Sequence, residues 1–494
     1  PGGLGAAAGE AWLTRGPAPP ESLALGPGAT VALSPGLFRK TRAEAYEPTA
    51  VGDGLGTPDC AACGAVPQGE DFTLYLVPLD AIGPCRELFS NLLLDTLEEL
   101  QLASFQGPQA VLVEPLIANA VWRRYDEGDA ARARASGRAA SIYSFWREDA
   151  ACGLRHGSAT RFGELFDWPE LLRWLRAARG IRGGVTWAEF LARSGRSLDV
   201  VAMLADLPGP EGAGGARVPC GDAEEPTTLR FFGEDFAVRR RACVRSTAAR
   251  HSGGFELRFL EASRLAAATR GAVERARAEG RNWAAVGLYL YWVEGAERAR
   301  LHPARYGKLS SHSEYASIWQ GLRFAPRVQR RADAIVASLG LRGRRFLAAH
   351  WRRGDWFLGP HPRKLEQAEL AEPPRFAAAL RRHLARQRLS RVFLMTNAQP
   401  GSPDVLALAA ELPGVELSQA PVLRGERQNL RQLCVEMAVA SQAEFFVAFG
   451  DGLLQGMASM PSLLVLQLRL HAGGRPLESN AFAFAPAHDD GLGL

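Results

Sequence analysis

Phe72-Thr-Leu-Tyr-Leu-Val-Pro78 is a short apolar run rich in β-forming residues, and it predicts a strand. A helix is expected next, because leucines recur at three- and four-residue spacing from Leu88 to Leu100. Ala110-Val-Leu-Val-Glu-Pro115 predicts the following strand. Strand, loop, helix and strand in this order are the βαβ pattern of a parallel sheet, so the predicted fold class is α/β.

The same alternation returns in the second half of the chain. Strands are predicted at 345–349, 391–395, 444–448 and 462–467, with helices at about 372–387 and 428–442 between them. Helices are also predicted at 261–279 and 327–339. Two Rossmann-like units with a cleft between them are the simplest assembly of these segments.

The length of the chain, 494 residues, exceeds what one ordinary core holds and favours two domains. Residues 1–68 are rich in Gly, Ala and Pro and are interpreted as a tail or stalk remnant. Residues 69–250 and 251–494 are then the expected N- and C-terminal Rossmann-like domains. No apolar run reaches eighteen residues, but the chain starts at Pro1, so a removed signal or anchor segment stays an open alternative.

Composition narrows the class of ligand. Apolar residues make up 47% and charged residues 22%, as in globular proteins. The net charge of +5 comes from arginines scattered among acidic residues, which argues against a dedicated nucleic-acid binder and suits an anionic ligand such as a nucleoside diphosphate. Cys60-Ala-Ala-Cys63 has no second pair or nearby His, so a local disulfide or free thiols are favoured over zinc.

The segment His350-Trp-Arg-Arg-Gly-Asp355 is expected in the loop after the strand 345–349. Ligands of open α/β sheets bind beyond the carboxyl ends of strands, and arginine matches phosphate oxygens with a planar fork of donors. The segment therefore predicts an anion-binding site; the alternative is a surface loop with an Asp–Arg pair. No P-loop or G-x-G-x-x-G segment follows a predicted strand, so neither an ATPase nor an NAD enzyme is supported.

These residues carry a family resemblance. Phe346–Trp356 resembles the strand and H-x-R-R-x-D-F segment of protein O-fucosyltransferases, especially the type that acts on thrombospondin repeats; α1,2- and α1,6-fucosyltransferases resemble it too. Four further segments resemble that family in order: Pro78–Phe89 (P-P-E-G-F-N-L-R-R-D-V-Y), Gly163–Pro169 (S-E-F-F-D-L-P), Arg391–Ala398 (V-F-V-A-T-D-A) and Glu436–Leu454 (D-x-x-I-x-x-x-A-x-F-F-I-G-T-S-V-S-T-F). The resemblance spans about residues 72 to 470 and both halves.

The resemblance implies a GT-B-like fold and an inverting, metal-independent transfer of fucose from GDP-fucose to a Ser or Thr hydroxyl of a folded protein domain, such as a Cys-rich repeat. GDP-fucose is the donor substrate, and no other cofactor, nucleic acid or membrane span is expected. It also implies the lumen of the secretory pathway, either the endoplasmic reticulum or the Golgi. A glycan acceptor and a catalytically inactive nucleotide-sugar-binding relative are the alternatives.

Carried over by position, the resemblance gives Arg352 a role on the donor diphosphate and places His350 beside it. Asp80 falls where the family has its catalytic Glu; apolar neighbours could raise its pKa and make it a better base. A loop Asp that helps to start the helix 88–100 is the alternative. The donor-binding set is completed by Asp355, Asn397, Asp451, Gly452, Leu453 and Leu454.

Two members of this set depart from the family pattern. Asn397 replaces an Asp, so an amide that can also donate stands in place of a carboxylate. Gly452-Leu453-Leu454 replaces S-T-F and removes hydroxyls expected on the phosphates. Backbone N–H groups of residues 450–452 could substitute for them if they form a nest.

Overall fold

The computed structural model describes chiefly residues 72–79, 108–118, 159–204, 217–231, 234–244, 262–289, 317–352, 369–396, 400–421, 429–450, 460–472 and 477–484, with short stretches elsewhere. Within the described residues the α-helices with assigned bounds, in chain order, are α1 (Trp168–Arg179), α2 (Trp187–Ser194), α3 (Ala262–Ala278), α4 (Ser317–Gly321), α5 (Pro326–Ser338), α6 (Pro373–Gln387), α7 (Pro403–Ala410), α8 (Asn429–Gln442) and α9 (Met460–Gln467).

The strands, in chain order, are β1 (Leu23–Leu25), β2 (Ala29–Ala32), β3 (Thr73–Pro78), β4 (Ala110–Val113), β5 (Leu116–Ala118), β6 (Ala159–Arg161), β7 (Gly183–Val185), β8 (Ser197–Leu198), β9 (Val200–Met203), β10 (Leu207–Pro208), β11 (Arg217–Val218), β12 (Thr227–Phe231), β13 (Glu234–Val238), β14 (Arg241–Cys243), β15 (Arg250–Ser252), β16 (Phe255–Leu257), β17 (Trp283–Tyr289), β18 (Leu347–Trp351), β19 (Arg391–Thr396), β20 (Glu416–Ser418), β21 (Phe445–Ala448) and β22 (Asn480–Phe482).

The first sheet has six strands in the order β14-β9-β17-β3-β4-β7, and each neighbouring pair is parallel. Its central strand β3 is buried along its whole length, as expected for a parallel strand covered on both faces. Helix α2 begins directly after β7 with a capping box, in which the Thr186 hydroxyl accepts from the Glu189 N–H and the Glu189 carboxylate accepts from the Thr186 N–H.

The second sheet has seven strands in the order β1-β2-β20-β19-β18-β21-β22. All neighbouring pairs are parallel except the β1–β2 hairpin at one edge. Two parallel sheets, with α-helices between successive strands, confirm the predicted α/β class and its two Rossmann-like units.

The predicted domain limit at residue 250 cuts through the first unit. Helix α3 and strand β17 follow that limit, yet β17 lies between β9 and β3 in the first sheet and α3 packs against it. Between β14 and β17, which both belong to the first sheet, the chain forms the separate β15–β16 pair and helix α3. The order of segments along the sequence does not reveal that β17 inserts between β9 and β3. Strands β1 and β2 come from the segment 1–68 that was interpreted as a tail, and β2 pairs with β20.

The predicted strand at 462–467 is wrong, because these residues lie in helix α9, which continues into a π-helical turn at Leu468–Ala472. A short apolar run that is buried all round looks the same in a central strand and in a buried helix. Pro461 in the first turn of α9 is the local sign of a helix start. The strand beside β21 is instead β22.

The two sheets share one core. A single apolar cluster includes Leu76 of the first sheet and Met395 of the second, together with Ile335 of α5 and Val439 of α8. Helices α5 and α8 pack on each other in this cluster. The described parts of the two units are therefore joined by apolar packing, the largest favourable contribution to stability in most folds.

Candidate functional site

The carboxyl ends of three neighbouring strands define one edge of the second sheet. Strand β18 is paired in parallel with β19 on one side and β21 on the other, so the chain leaves all three strands at the same edge. This is where open α/β sheets bind ligands. Residues 350–352, 397 and 451–454, which the sequence predicts to bind the donor, stand within or shortly after these strand ends.

Of the predicted site residues, the structure describes His350 and Arg352. His350 and Trp351 are the last two residues of β18, so the expectation that His350 lies in the following loop is wrong by two residues. Arg352 directly follows the strand and is half-buried. The remaining predicted site residues lie outside the described residues: Asp80, Asp355, Asn397, Asp451, Gly452, Leu453 and Leu454.

His350 is buried, with 6% of its surface exposed, and its Nδ1 lies 2.8 Å from the Ser462 hydroxyl of α9. Burial, together with the smaller effect of the positive charge of Arg352, lowers the pKa of His350 from its usual 6.5 to about 3. His350 is therefore neutral at physiological pH. The site presents a neutral imidazole next to the guanidinium of an arginine.

Trp351 points to the opposite face of the sheet, as alternation along a strand requires. Its ring stacks on Phe376 of α6, with ring centroids 5.6 Å apart, and its Nε1 donates to the Ala371 carbonyl at 2.9 Å. The buried indole therefore has both apolar contact and a hydrogen-bond partner. These contacts hold the end of β18, from which Arg352 projects.

Ser462 was missed from the sequence, where it fell inside a predicted strand. Its hydroxyl is fully buried and accepts a hydrogen bond of 2.8 Å from the backbone N–H of Phe449, the residue after β21. The next residue, Gly450, has φ of 144°, which favours glycine, and the chain then enters the predicted donor loop. Ser462 thus contacts the carboxyl ends of both β18 and β21.

Glu114 stands at the carboxyl end of β4, next to the strand that leads to Asp80. It is 3% exposed, and its Oε1 accepts from the Gly163 N–H at 2.9 Å. A Cβ at position 163 would come within 2.7 Å of the same oxygen, so the close approach requires glycine. Burial raises the pKa of Glu114 despite the opposing effects of Arg161 and this hydrogen bond. The sequence had placed this residue within a strand and assigned it no role.

The segment Gly163–Pro169, one of the five that carry the family resemblance, lies where the two units meet. Burial alone would raise the pKa of Glu164, but ion pairs with Arg431 of α8 and Arg327 of α5 outweigh it and hold that pKa below its usual range. Arg327 also donates from Nε to the Glu164 carbonyl at 2.9 Å. Asp167 caps α1 by accepting from the Glu170 N–H. Both acids of this motif have structural partners.

Cys220 and Cys243 form a disulfide, with Cα atoms 5.2 Å apart, and Cys434 is buried in α8. Within the described ranges, no cluster of three or more His, Cys, Asp or Glu side chains could hold a metal ion. In the same ranges no helix has the length and apolar character that crossing a membrane requires.

No protein-family model and no curated protein matches the chain. Among solved structures, the fold is similar to a crystal structure of POFUT1 in complex with GDP-fucose, with a TM-score of 0.47 at 14% identity, over 85% of this chain and 100% of that chain. A POFUT1 complex with GDP gives a TM-score of 0.45 at 14% identity, over 84% of this chain and 99% of that chain. POFUT1 is a protein O-fucosyltransferase, the family that the sequence motifs resemble.

Proposed function

We propose that this protein is a fucosyltransferase that moves fucose from GDP-fucose to a Ser or Thr hydroxyl of a folded protein domain, with inversion at the sugar carbon and without a metal ion. The observation that carries the proposal is the pair His350 and Arg352 at the carboxyl end of β18, with the carboxyl ends of β19 and β21 on either side. A neutral donor group beside a fixed cation suits an anionic diphosphate.

Arg352 is the group that meets the growing charge of the leaving diphosphate. Arginine carries a positive charge in proteins and binds phosphate oxygens in bidentate fashion. Because His350 is held neutral, this residue adds a hydrogen bond to the site without adding charge. Backbone N–H groups of residues 450–452 would supply further donors in place of the hydroxyls that Gly452 and Leu453 lack.

In the proposed reaction, the acceptor hydroxyl attacks C1 of fucose from the face opposite GDP. The new bond joins the acceptor oxygen to C1, the bond between C1 and the β-phosphate oxygen breaks, and GDP leaves. Asp80, or a water molecule that it orients, takes the acceptor proton. Along the sequence, Asp80 comes two positions after the end of β3, and β3 pairs with β4, the strand that Glu114 follows.

The choice of donor and acceptor is supported by the ordered resemblance of five segments to protein O-fucosyltransferases, and Asn397 is the position at which donor choice would differ from that family. The proposed compartment is the lumen of the secretory pathway. The disulfide between Cys220 and Cys243 supports it, since such bonds persist in oxidising compartments. We also propose that an N-terminal unit binds the acceptor and a C-terminal unit binds the donor.

Calorimetry with GDP and GDP-fucose, followed by transfer assays, tests the donor site. Arg352→Ala should lower the rate of transfer by about 10²–10³. Arg375→Ala is the matched control, because Arg375 is an exposed arginine of α6 paired with Glu369. Near-normal transfer by Arg352→Ala, or failure of the folded wild-type protein to bind either nucleotide, would remove the central claim.

Asp80→Asn tests the base. It should keep GDP binding while slowing transfer by about 10²–10⁴. Folded Cys-rich repeats and oligosaccharides assayed side by side separate a protein acceptor from a glycan acceptor. Release of GDP from GDP-fucose, with and without acceptor, separates an enzyme from an inactive binding relative, and unchanged transfer in EDTA is expected if no metal takes part.

A further inference from the structure

Ser462 lies in the first turn of α9 and is fully buried, and among the described residues its hydroxyl has two hydrogen-bond partners, one at the carboxyl end of β18 and one directly after β21. Its Oγ lies 2.8 Å from Nδ1 of His350, the penultimate residue of β18, and 2.8 Å from the backbone nitrogen of Phe449, which follows β21. One hydroxyl thus connects the ends of two neighbouring strands at the edge where the donor site is proposed.

The chemistry of the two partners sets the direction of both hydrogen bonds. The backbone N–H of Phe449 can only donate, so it occupies one lone pair of Ser462 Oγ. The hydroxyl proton of Ser462 then needs an acceptor, because buried polar groups are normally satisfied. Nδ1 of a neutral imidazole is an acceptor when the ring proton is on Nε2, and it lies at the right distance.

The opposite arrangement is less favourable. If Nδ1 of His350 carried the proton and donated to Ser462, the hydroxyl would accept two hydrogen bonds and its own proton would need a third partner in a fully buried position. A doubly protonated imidazolium would require the same arrangement and, in addition, a buried positive charge beside Arg352. The contacts among the described residues therefore favour the tautomer with the proton on Nε2.

We propose that Ser462 is a positioning residue that fixes His350 as the tautomer with its proton on Nε2, so that the ring offers an N–H donor to the diphosphate of the nucleotide sugar. The assignment of the tautomer stands on the two hydrogen bonds of Ser462. The role toward the diphosphate rests on the proposed function. Arg352 and Nε2–H of His350 would then act together as one charged and one neutral donor.

The hydrogen bond between Ser462 and Phe449 has a second effect. Phe449 immediately precedes Gly450, where the backbone adopts a conformation that favours glycine, and the predicted donor-binding residues 451–454 come next in the sequence. By accepting from the Phe449 N–H, Ser462 holds the chain directly after β21 at a fixed position relative to His350. Loss of the hydroxyl would therefore disturb both the His350 ring and the position of Phe449.

The tautomer is measured directly by ¹⁵N NMR of the full-length protein labelled at its 9 histidines, without any ligand. The His350 signals are identified by their disappearance in His350→Gln. We expect a non-protonated shift for Nδ1 and a protonated shift for Nε2, unchanged between pH 5.5 and 8. A protonated Nδ1 would overturn the proposal, whatever the protein binds.

The positioning role is measured by GDP affinity. Ser462→Ala should weaken GDP binding about tenfold and mix the two tautomers of His350, whereas Ser462→Thr keeps the hydroxyl and should restore both. Ser441→Ala is the matched control, since the Ser441 hydroxyl donates to the Met437 carbonyl within α8, and it should bind GDP as the wild type does.

The outcomes separate the two proposals. Wild-type protein that shows the expected tautomer but binds neither GDP nor GDP-fucose refutes the proposed function and supports the assignment of the proton. Ser462→Ala that binds GDP as tightly as the wild type, with His350 still protonated on Nε2, refutes the role of Ser462 while the donor site stands. Should Ser462→Ala fail to fold, the wild-type spectrum and the Ser462→Thr variant still decide the assignment.

Discussion

Replacing Glu164 by Gln should lower the free energy of unfolding by about 2 kcal/mol. This carboxylate pairs with Arg327 and Arg431 where the two units meet, and Arg161 lies at a longer distance of 3.8 Å. The side chains of Glu164 and Arg431 are 11% and 12% exposed, so their charges are poorly screened by water, whereas Arg327 is 33% exposed. Removing one partner of a buried ion pair costs about 3–5 kcal/mol. Partial exposure of Arg327 and the acceptor oxygen that Gln retains reduce that cost.

The pH dependence of this difference gives the sharper test. The folded protein holds the pKa of Glu164 below its usual value of 4.5, so its contribution is fully present above pH 4.5 and is lost as pH falls through the folded-state pKa. The free energies of unfolding of the wild type and Glu164→Gln, measured with urea, should therefore differ by the same amount at pH 7 and pH 5.5. The difference should become smaller below pH 4.5.

Glu369→Gln is the control, because Glu369 and Arg375 form an ion pair whose side chains are 59% and 57% exposed. Its expected effect is below about 0.5 kcal/mol. If Glu164→Gln lowers the free energy of unfolding at pH 7 by less than about 0.5 kcal/mol, the view that Glu164 links the units is refuted. If the loss of stability in Glu164→Gln grows as the pH falls, the direction of the pKa shift of Glu164 is refuted.

Two further substitutions test buried carboxylates in the first unit by urea unfolding. Glu114→Gln should leave the free energy of unfolding unchanged at pH 4 and should raise or preserve it at pH 8. The reason is that the raised pKa of Glu114 disfavours its charged form in the folded protein. A clear loss of stability at pH 8 would contradict this. Asp199→Ala should lower the free energy of unfolding by about 3 kcal/mol. Asp199 is only 2% exposed, accepts from the Ala285 N–H at 2.8 Å and pairs with Arg281 at 2.5 Å. A loss of less than about 1 kcal/mol would contradict this account.

The sequence predicts the edge of the second sheet well, because the rule for ligand sites in parallel sheets needs only the strands and their order along the chain. Four predicted segments, 372–387, 391–395, 428–442 and 444–448, agree with α6, β19, α8 and β21 to within one residue at each end. Buried strands that alternate with amphipathic helices give strong periodic signals. Hence the position of Arg352 after a parallel strand is readable from local pattern.

The interactions that organise the site are not local, and local pattern misses them. Glu164 meets Arg431 across a sequence separation of 267, and His350 meets Ser462 across 112. Periodicity carries no information on such pairs. The wrong prediction of a strand at 462–467 also hid the contact between Ser462 and His350, because the first turn of α9 brings Ser462 to that histidine.

The neutral state of His350 changes how the site can work. A charged histidine beside Arg352 would strengthen the attraction for a diphosphate but would lose the hydrogen bond that Ser462 donates, and burial makes that charge costly. A neutral ring instead contributes a donor whose strength does not vary with pH across the physiological range. Arg352 then supplies the positive charge that stabilises the leaving diphosphate at this strand end. His350, oriented by Ser462, supplies an N–H donor at a fixed position. Substitution of Arg352 should therefore reduce the rate of transfer at every ionic strength, whereas substitution of Ser462 should act mainly on the affinity and geometry of the bound nucleotide.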